Sequence, residues 1–391
     1  MNKKNAILGA AFLTATSAVG PGFLTQTATF TQNLGASFAF IILIAIFMHI
    51  VVQFNIWRVI AVSKLKAQDI ANKVCFGVGY FLSFLIILGG LAFNIGNVAG
   101  AGLGINTIFG ISPILGACIS ALIAVAIFIN KDAGGYMDKF AKLLGGFLII
   151  MIFYIVFESN PPLGKAAKEL ISPSNFDAFT LVTLVGGTVG GYITFSGAHR
   201  LVDAGICGKE NLSEVNKSAT SGIIIANIIR IFLFLAVLGV VSLGVKLEPS
   251  NPALTPFEHA LGNLGLILFG LVIWAASITS VVGCAYTSVS FITSFHPSIK
   301  KNENLIIIIF IIFSTLVFAT IGKPVEILVL VGTLNGLILP IALFVILIAA
   351  YKKDIVGDYK HSKILAILGF VITIAMAILS FITIKDYLLQ L

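Results

Sequence analysis

One guanidinium, a few neutral amides and two glycine-rich interruptions are the groups that the long apolar stretches of this sequence offer for chemistry. Arg230 stands inside the run 223–244, where the other polar side chains are Asn227 and Ser242. A charge at that depth costs about 2.5–3.5 kcal/mol on insertion scales, so it must face a cavity or a partner. It lies roughly thirteen residues, about 20 Å of helix, from either end of its span, too far to snorkel easily. The 16 Asp and Glu residues all fall outside the middles of the apolar stretches, so no intramembrane acid can stand opposite it. That asymmetry suits an anion, since a carboxylate can take two parallel hydrogen bonds from a guanidinium. The other open reading is structural: Arg230 bonds backbone carbonyls that a broken helix frees.

At comparable depth, Asn94, Asn97, Thr188, Tyr192 and Asn335 offer neutral hydrogen bonds, and Phe23 and Phe195 an apolar wall. His49 lies mid-way along its stretch and could titrate near neutral pH; a neutral His bonded between helices is the alternative. His199 and Arg200, followed by Asp203, sit where an inner gate or a plain interface anchor would. Cys75, Cys118, Cys207 and Cys284 have neither CxxC nor His–Cys spacing, so they read as small residues in helix contacts.

The elements that must carry these groups are membrane spans. With 58% hydrophobic and 10% charged residues and a mean hydropathy of +1.08, the chain cannot be a soluble globule. Apolar stretches long enough to cross ~30 Å of hydrocarbon recur at 6–30, 36–62, 77–107, 112–130, 140–157, 179–199, 218–245, 258–293, 304–320, 325–350 and 364–384, eleven in all. Lys3 and Lys4 before an apolar run resemble a secretory signal, but the run continues past Gly20 and more spans follow. The connection 165–177 reads as an ordinary outer loop. With the N-terminus inside, 18 of the 24 Lys and Arg residues fall on the cytoplasmic side and 5 outside, Arg230 being the other one. The positive-inside rule then gives N-in, C-out, a multi-pass protein of a bacterial-type cytoplasmic membrane. Topology accounts for the net charge of +8, which gives no reason to invoke nucleic acid.

Two spans are interrupted. Gly20, Pro21 and Gly22 stand in the middle of the first; the proline removes a donor and clashes with the preceding turn, so a helix should open there. Gly186, Gly187, Gly190 and Gly191 make a matching weak point in the sixth. Paired broken helices at corresponding places point to the binding site of an inverted-repeat transporter, because unpaired backbone at membrane depth is tolerated where it lines a cavity. Gly100, Gly102 and Gly104 in the third span read instead as close helix packing.

At these breaks the chain resembles the NRAMP family of divalent-metal transporters. The likeness runs through Leu8, Gly9, Ala10, Ala11 and Phe12, through Gly35 to Phe38, through Phe109 and Gly110, and through Leu337 to Pro340. It implies an all-α membrane protein with the LeuT-type fold: a 5+5 inverted repeat plus one helix, with helices 1 and 6 broken. The repeats would cover about 6–157 and 179–350, the extra helix about 364–384, in one transporter domain. The family's Asp-Pro-Gly-Asn metal motif is matched by Gly20, Pro21, Gly22 and Phe23, so the hinge survives without the ligands. Met-Pro-His is matched by Gly190, Gly191 and Tyr192, and the family's Asp and Glu of the third helix by Asn94 and Asn97. A tenth-helix glutamine is matched by Gly332, and a neutral residue near the site in the seventh helix by Arg230.

Such a lining has neither carboxylate nor thioether for Mn²⁺ or Fe²⁺, and no metal site is expected. The sequence therefore predicts a secondary transporter of a small carboxylate-bearing solute, an amino-acid derivative or organic acid. A branch of the family that lacks the metal ligands is associated with 5-oxoproline-degrading enzymes, which makes 5-oxoproline a specific expectation. The expected substrate site comprises Gly20, Gly22, Phe23, Asn94, Asn97, Thr188, Gly190, Gly191, Tyr192, Arg230 and Asn335. Coupling would use H⁺ or Na⁺, the latter on hydroxyls such as Thr14, Ser17, Thr287 or Ser288; no cofactor or obligate protein partner is expected. The competing readings are divalent-cation transport and a non-transporting membrane sensor. No phosphate loop or nucleophile–base order supports an enzyme.

Overall fold

The computed structural model describes residues 3–129 and 131–388. The side chains of 3–6, 12, 131–138, 141–142 and 386–388 lie outside that description, and with them Lys3, Lys4, Phe12, Lys131 and Lys142. Every regular element among the described residues is helical.

α1 (Lys3–Ala18) and α2 (Pro21–Leu34) form the first interrupted span. The Val19 N–H still bonds to Ala15, Gly20 turns extended (φ −99°, ψ −173°), and Pro21 opens α2. A proline costs nothing at that position, since a helix start leaves its N–H groups unpaired anyway. α2 stops at Gly35 (φ +54°), and one 3₁₀ turn leads into α3 (Phe38–Ser63). α4 (Ala67–Val74), α5 (Val78–Phe109), α6 (Pro113–Ile129) and α7 (Lys131–Ser159) follow. α8 (Leu163–Ile171) then turns through 105° from the end of α7, so the expected outer loop begins as a helix.

α9 (Ala178–Val189) and α10 (Ile193–Asp203) form the second interrupted span. The break falls at Gly190, which is extended, and Gly191, whose φ of +52° suits glycine. Gly186 and Gly187, expected to share in the break, stay helical and serve packing. A Cβ on Gly186 would stand 2.0 Å from the Gly332 carbonyl, and one on Gly187 2.4 Å from Gln26 Oε1. The chain continues through α11 (Leu212–Ser242), α12 (Thr255–Ser290), α13 (Pro297–Lys301), α14 (Glu303–Ile321), α15 (Pro324–Ala349), α16 (Lys353–Val356) and α17 (Lys363–Leu388).

Helix length and apolarity support eight crossings among the described residues, or up to nine with the bent α7–α8 pair, against the eleven expected. The difference lies in α6, which is short, and in α2 and α3, which run on from one another. α5 is central, lying along α12, α15 and α6. Its glycines permit that: a Cβ on Gly100 would strike Pro21 at 2.2 Å, and one on Gly102 the Pro113 carbonyl at 2.2 Å. Phe313 and Leu316 of α14, and Ile374 and Phe381 of α17, are exposed, as lipid-facing side chains should be.

Candidate substrate site

The two breaks and α11 enclose the candidate site. Gly20 lets Ser280 and Asn97 approach closely: a Cβ there would stand 3.3 Å from Ser280 Oγ and 3.5 Å from Asn97 Oδ1. Asn97 Nδ2 has no hydrogen-bond partner although the residue is 1% exposed. The buried Tyr192 hydroxyl reaches into the same place, with the Cys284 thiol, the Asn97 carboxamide and the Ser17 hydroxyl as neighbours. It makes no hydrogen bond of good geometry there, and neither does Ser17 Oγ.

One turn further along α2, about 5 Å in rise, Phe23 carries Arg230. The guanidinium carbon stands 4.0 Å from the ring centroid. Both residues are 1% exposed, and Nε, Nη1 and Nη2 of Arg230 all lack a partner among the described residues. Among the described residues, backbone carbonyls freed at the breaks therefore do not hold it. A cation over an aromatic face is attracted by the ring quadrupole, by roughly 2 kcal/mol when desolvated, yet its five N–H donors remain open.

Asn335 bonds the Gly89 and Val331 carbonyls through Nδ2 and leaves Oδ1 unpartnered. That oxygen presses on Gly191, where a Cβ would stand 1.6 Å from it, and Gly190 packs on the Asn335 carbonyl. Gly22 likewise serves packing, 3.3 Å from the Leu328 carbonyl by the same measure. Thr188 bonds its own helix at the Leu184 carbonyl. Asn94 donates to Ser314 on α14 and leaves its Oδ1 without a partner among the described residues, while Asn97 faces Gly20.

Gln26 was not anticipated. Its Nε2 donates to the Leu328 carbonyl at 2.8 Å, its Oε1 has no partner, and it lies between Gly187 and Gly332. A glutamine amide thus reaches Gly332, the position where the resembling family carries a glutamine, but from α2. The available signal was its place one turn after Phe23.

The coupling and gate candidates are engaged. His49 Nε2 donates to Gln53 Oε1 at 2.7 Å, and Nδ1 meets Asn227 Nδ2 at 3.4 Å. His199 accepts from the Ala67 N–H, donates to Ser290 Oγ and stacks on Phe291, which ties α10 to α4 and α12. Arg200 lies across Gly9 of α1. Below them is a cavity of about 400 Å³ lined by Lys64, Lys66, Asp69, Asp203, Tyr286 and Glu303. Across it Lys66 pairs with Asp203 at 3.0 Å, and Tyr286 donates to Asp203 at 2.7 Å. Of the hydroxyls considered for sodium, Thr14 and Thr287 bond the Ala10 and Gly283 carbonyls, and Ser17 and Ser288 remain unpartnered.

Residues 11–386 match the family described as natural resistance-associated macrophage protein-like, Nramp. The chain belongs to the Nramp family. An uncharacterized membrane protein of Haemophilus influenzae is 59% identical over 387 residues, 99% of this chain and 98% of the relative. The divalent metal cation transporter MntH of Yersinia pestis is 23% identical over 385 residues, 94% of this chain and 91% of the relative. Among solved structures, the manganese transporter of Eremococcus coleocola, in complex with an aromatic bis-isothiourea substituted compound, gives a TM-score of 0.72 at 17% identity, covering 98% of this chain and 87% of its own. MhsT in complex with L-phenylalanine gives 0.67 at 16% identity, covering 98% of both chains. This Nramp chain therefore has the LeuT-type all-α fold and is a multi-pass membrane transporter, which implies a small-molecule substrate and a bilayer.

Proposed function

We propose that this Nramp chain is a secondary active transporter that moves a small carboxylate-bearing organic solute across the cytoplasmic membrane by alternating access. The observation that carries the reading is the buried Arg230 guanidinium, unpartnered on Phe23. A buried cation without a counter-ion is costly, and a ligand carboxylate removes that cost through charge-assisted bonds. Asn97 Nδ2 supplies a further donor, and Gln26 Oε1 and Asn335 Oδ1 supply acceptors for an N–H. The site residues are Gly20, Phe23, Gln26, Asn97, Tyr192, Arg230 and Asn335; Gly22, Gly190 and Gly191 shape the breaks. 5-Oxoproline, a compact ring with one carboxylate and one amide, fits this set of donors and acceptors. The charge asymmetry of the connections supports a cytoplasmic N-terminus, and the two interrupted spans support repeats at about 6–157 and 179–350. H⁺ or Na⁺ coupling belongs to the same reading.

Divalent-cation transport is the rival, favoured by the identity with MntH. Against it stands the lining, since neutral amides and hydroxyls beside a fixed cation give Mn²⁺ no carboxylate, imidazole or thioether. Proteoliposomes decide between them. Labelled 5-oxoproline, lactate and proline are offered in parallel with Mn²⁺, with Arg230→Ala as the paired variant. Uptake of an acid that is lost in Arg230→Ala supports the proposal; Mn²⁺ entry without acid uptake refutes it.

A further inference from the structure

We propose that the carrier is an anion exchanger: its site passes between the two sides readily when a carboxylate occupies it and slowly when empty, so uptake of one acid is tied to release of another. This rests on the reading of Arg230 as the anion-binding group. A guanidinium keeps its charge throughout the physiological pH range. With a vestibule open, water solvates that charge. Alternating access also requires a state closed at both ends, and the burial of Arg230, 1% exposed, gives the surroundings such a state would offer it. Phe23 lies under it, Asn227 precedes it by one turn on α11, and none of its three nitrogens has a partner among the described residues. His49 faces the same region, but its nitrogens are engaged by Gln53 and Asn227, so it accepts nothing from Arg230. Phe23, Asn97 and Tyr192 are as buried as Arg230, and Lys66 and Tyr286 both meet Asp203 across the cavity that the three line.

In that closed state an empty site holds an uncompensated charge in a low dielectric, whereas a loaded one holds a neutral, hydrogen-bonded pair. The cation–π contact with Phe23 offsets part of the difference. The rest falls on the empty carrier alone and slows its return by on the order of 100-fold. Exchange of one monocarboxylate for another also moves no net charge.

The test uses the full chain in proteoliposomes and [¹⁴C]5-oxoproline as probe. Initial uptake is compared between vesicles loaded with unlabelled 5-oxoproline and vesicles without it, with the membrane potential clamped at zero or set by potassium and valinomycin. The expected result is acceleration by internal acid on the order of 100-fold, with no response of the loaded vesicles to potential. Equal rates in loaded and empty vesicles overturn the exchange mechanism while leaving acid transport intact. So does loaded uptake that follows the potential. Absence of acid uptake under every condition, with Mn²⁺ entering, overturns the proposed function as well.

Discussion

The Arg230 guanidinium stacks on the Phe23 ring, 4.0 Å from its centroid, and this pair joins two departures from the Nramp pattern. By the resemblance, Phe23 matches the metal-binding Asn of the family's first-helix motif, and Arg230 a neutral residue of the seventh helix. An arginine beside a metal ligand would oppose the cation. Beside a phenyl face it is held in place with its donors free. The two side chains are physically consistent with each other, the ring holding the guanidinium while its donors stay free.

Arg230→Met should separate binding from stability. An apolar side chain of similar volume removes the desolvation cost of a buried, unpaired charge. Thermal unfolding in detergent should therefore give an unchanged or higher Tm, while acid uptake falls by roughly 100-fold or more. A variant that unfolds readily would mean that Arg230 is structural, and one that transports normally would remove it from the site.

The second break should tolerate no side chain. In Gly191→Ala the new Cβ would stand 1.6 Å from Asn335 Oδ1, at a φ of +52°. Left-handed backbone at a non-glycine residue costs about 1–3 kcal/mol before the clash is counted. Gly164→Ala in α8 is the control, because a Cβ there meets open space and alanine favours a helix by ~0.5–1 kcal/mol. Thermal unfolding should show a clear loss for the first and none for the second; equal Tm values would mean that the break relaxes freely.

The breaks were legible in the sequence because proline and glycine act through their own backbone. Arg230 was legible because charge at membrane depth is rare whatever surrounds it. What the sequence could not display was partnership across the fold. Gln26 meets the Leu328 carbonyl, 302 positions away, and nothing local distinguishes it from a glutamine turned to another helix. Asn94 and Asn97 looked equivalent, yet Asn94 is taken by Ser314 on α14. Gly186 and Gly187 looked like part of the break, and their close approach to α15 and Gln26 is tertiary information.

The inner closure should weaken without Asp203. Its carboxylate holds Lys66 and Tyr286 together, and the side chains of the ion pair are 14% and 39% exposed. A partly exposed pair of this kind is worth about 1 kcal/mol, or roughly fivefold in the population of an open inner end. In Asp203→Asn, a cysteine placed at Ser280 beside Gly20 should react roughly fivefold faster with a thiol reagent from the cytoplasmic side. The native Cys75, Cys118, Cys207 and Cys284 are first replaced by serine, so that the thiol of Ser280→Cys is the one read. An unchanged rate would take the ion pair out of the closing mechanism.

α8 grips the turn between α2 and α3 through one acid. Glu169 accepts from the Ser174 hydroxyl and N–H, each at 2.6 Å, and from Ser37 Oγ at 2.7 Å. These bonds, those of Ser174 foremost, favour the carboxylate and lower its pKa from 4.5 to about 2. Because the folded value lies below the unfolded one, the contribution to stability is fully present above pH 4.5 and is lost as the pH falls through about 2. Glu169→Gln has no such ionisation. The Tm difference between native protein and Glu169→Gln should accordingly stay constant above pH 5, shrink through the range from 4.5 to 2, and gain nothing on further acidification. A difference that grows as the pH drops would mean that the protonated acid makes the stronger clasp, and the hydrogen bonds from Ser174 and Ser37 would then not be what holds α8 to the hinge.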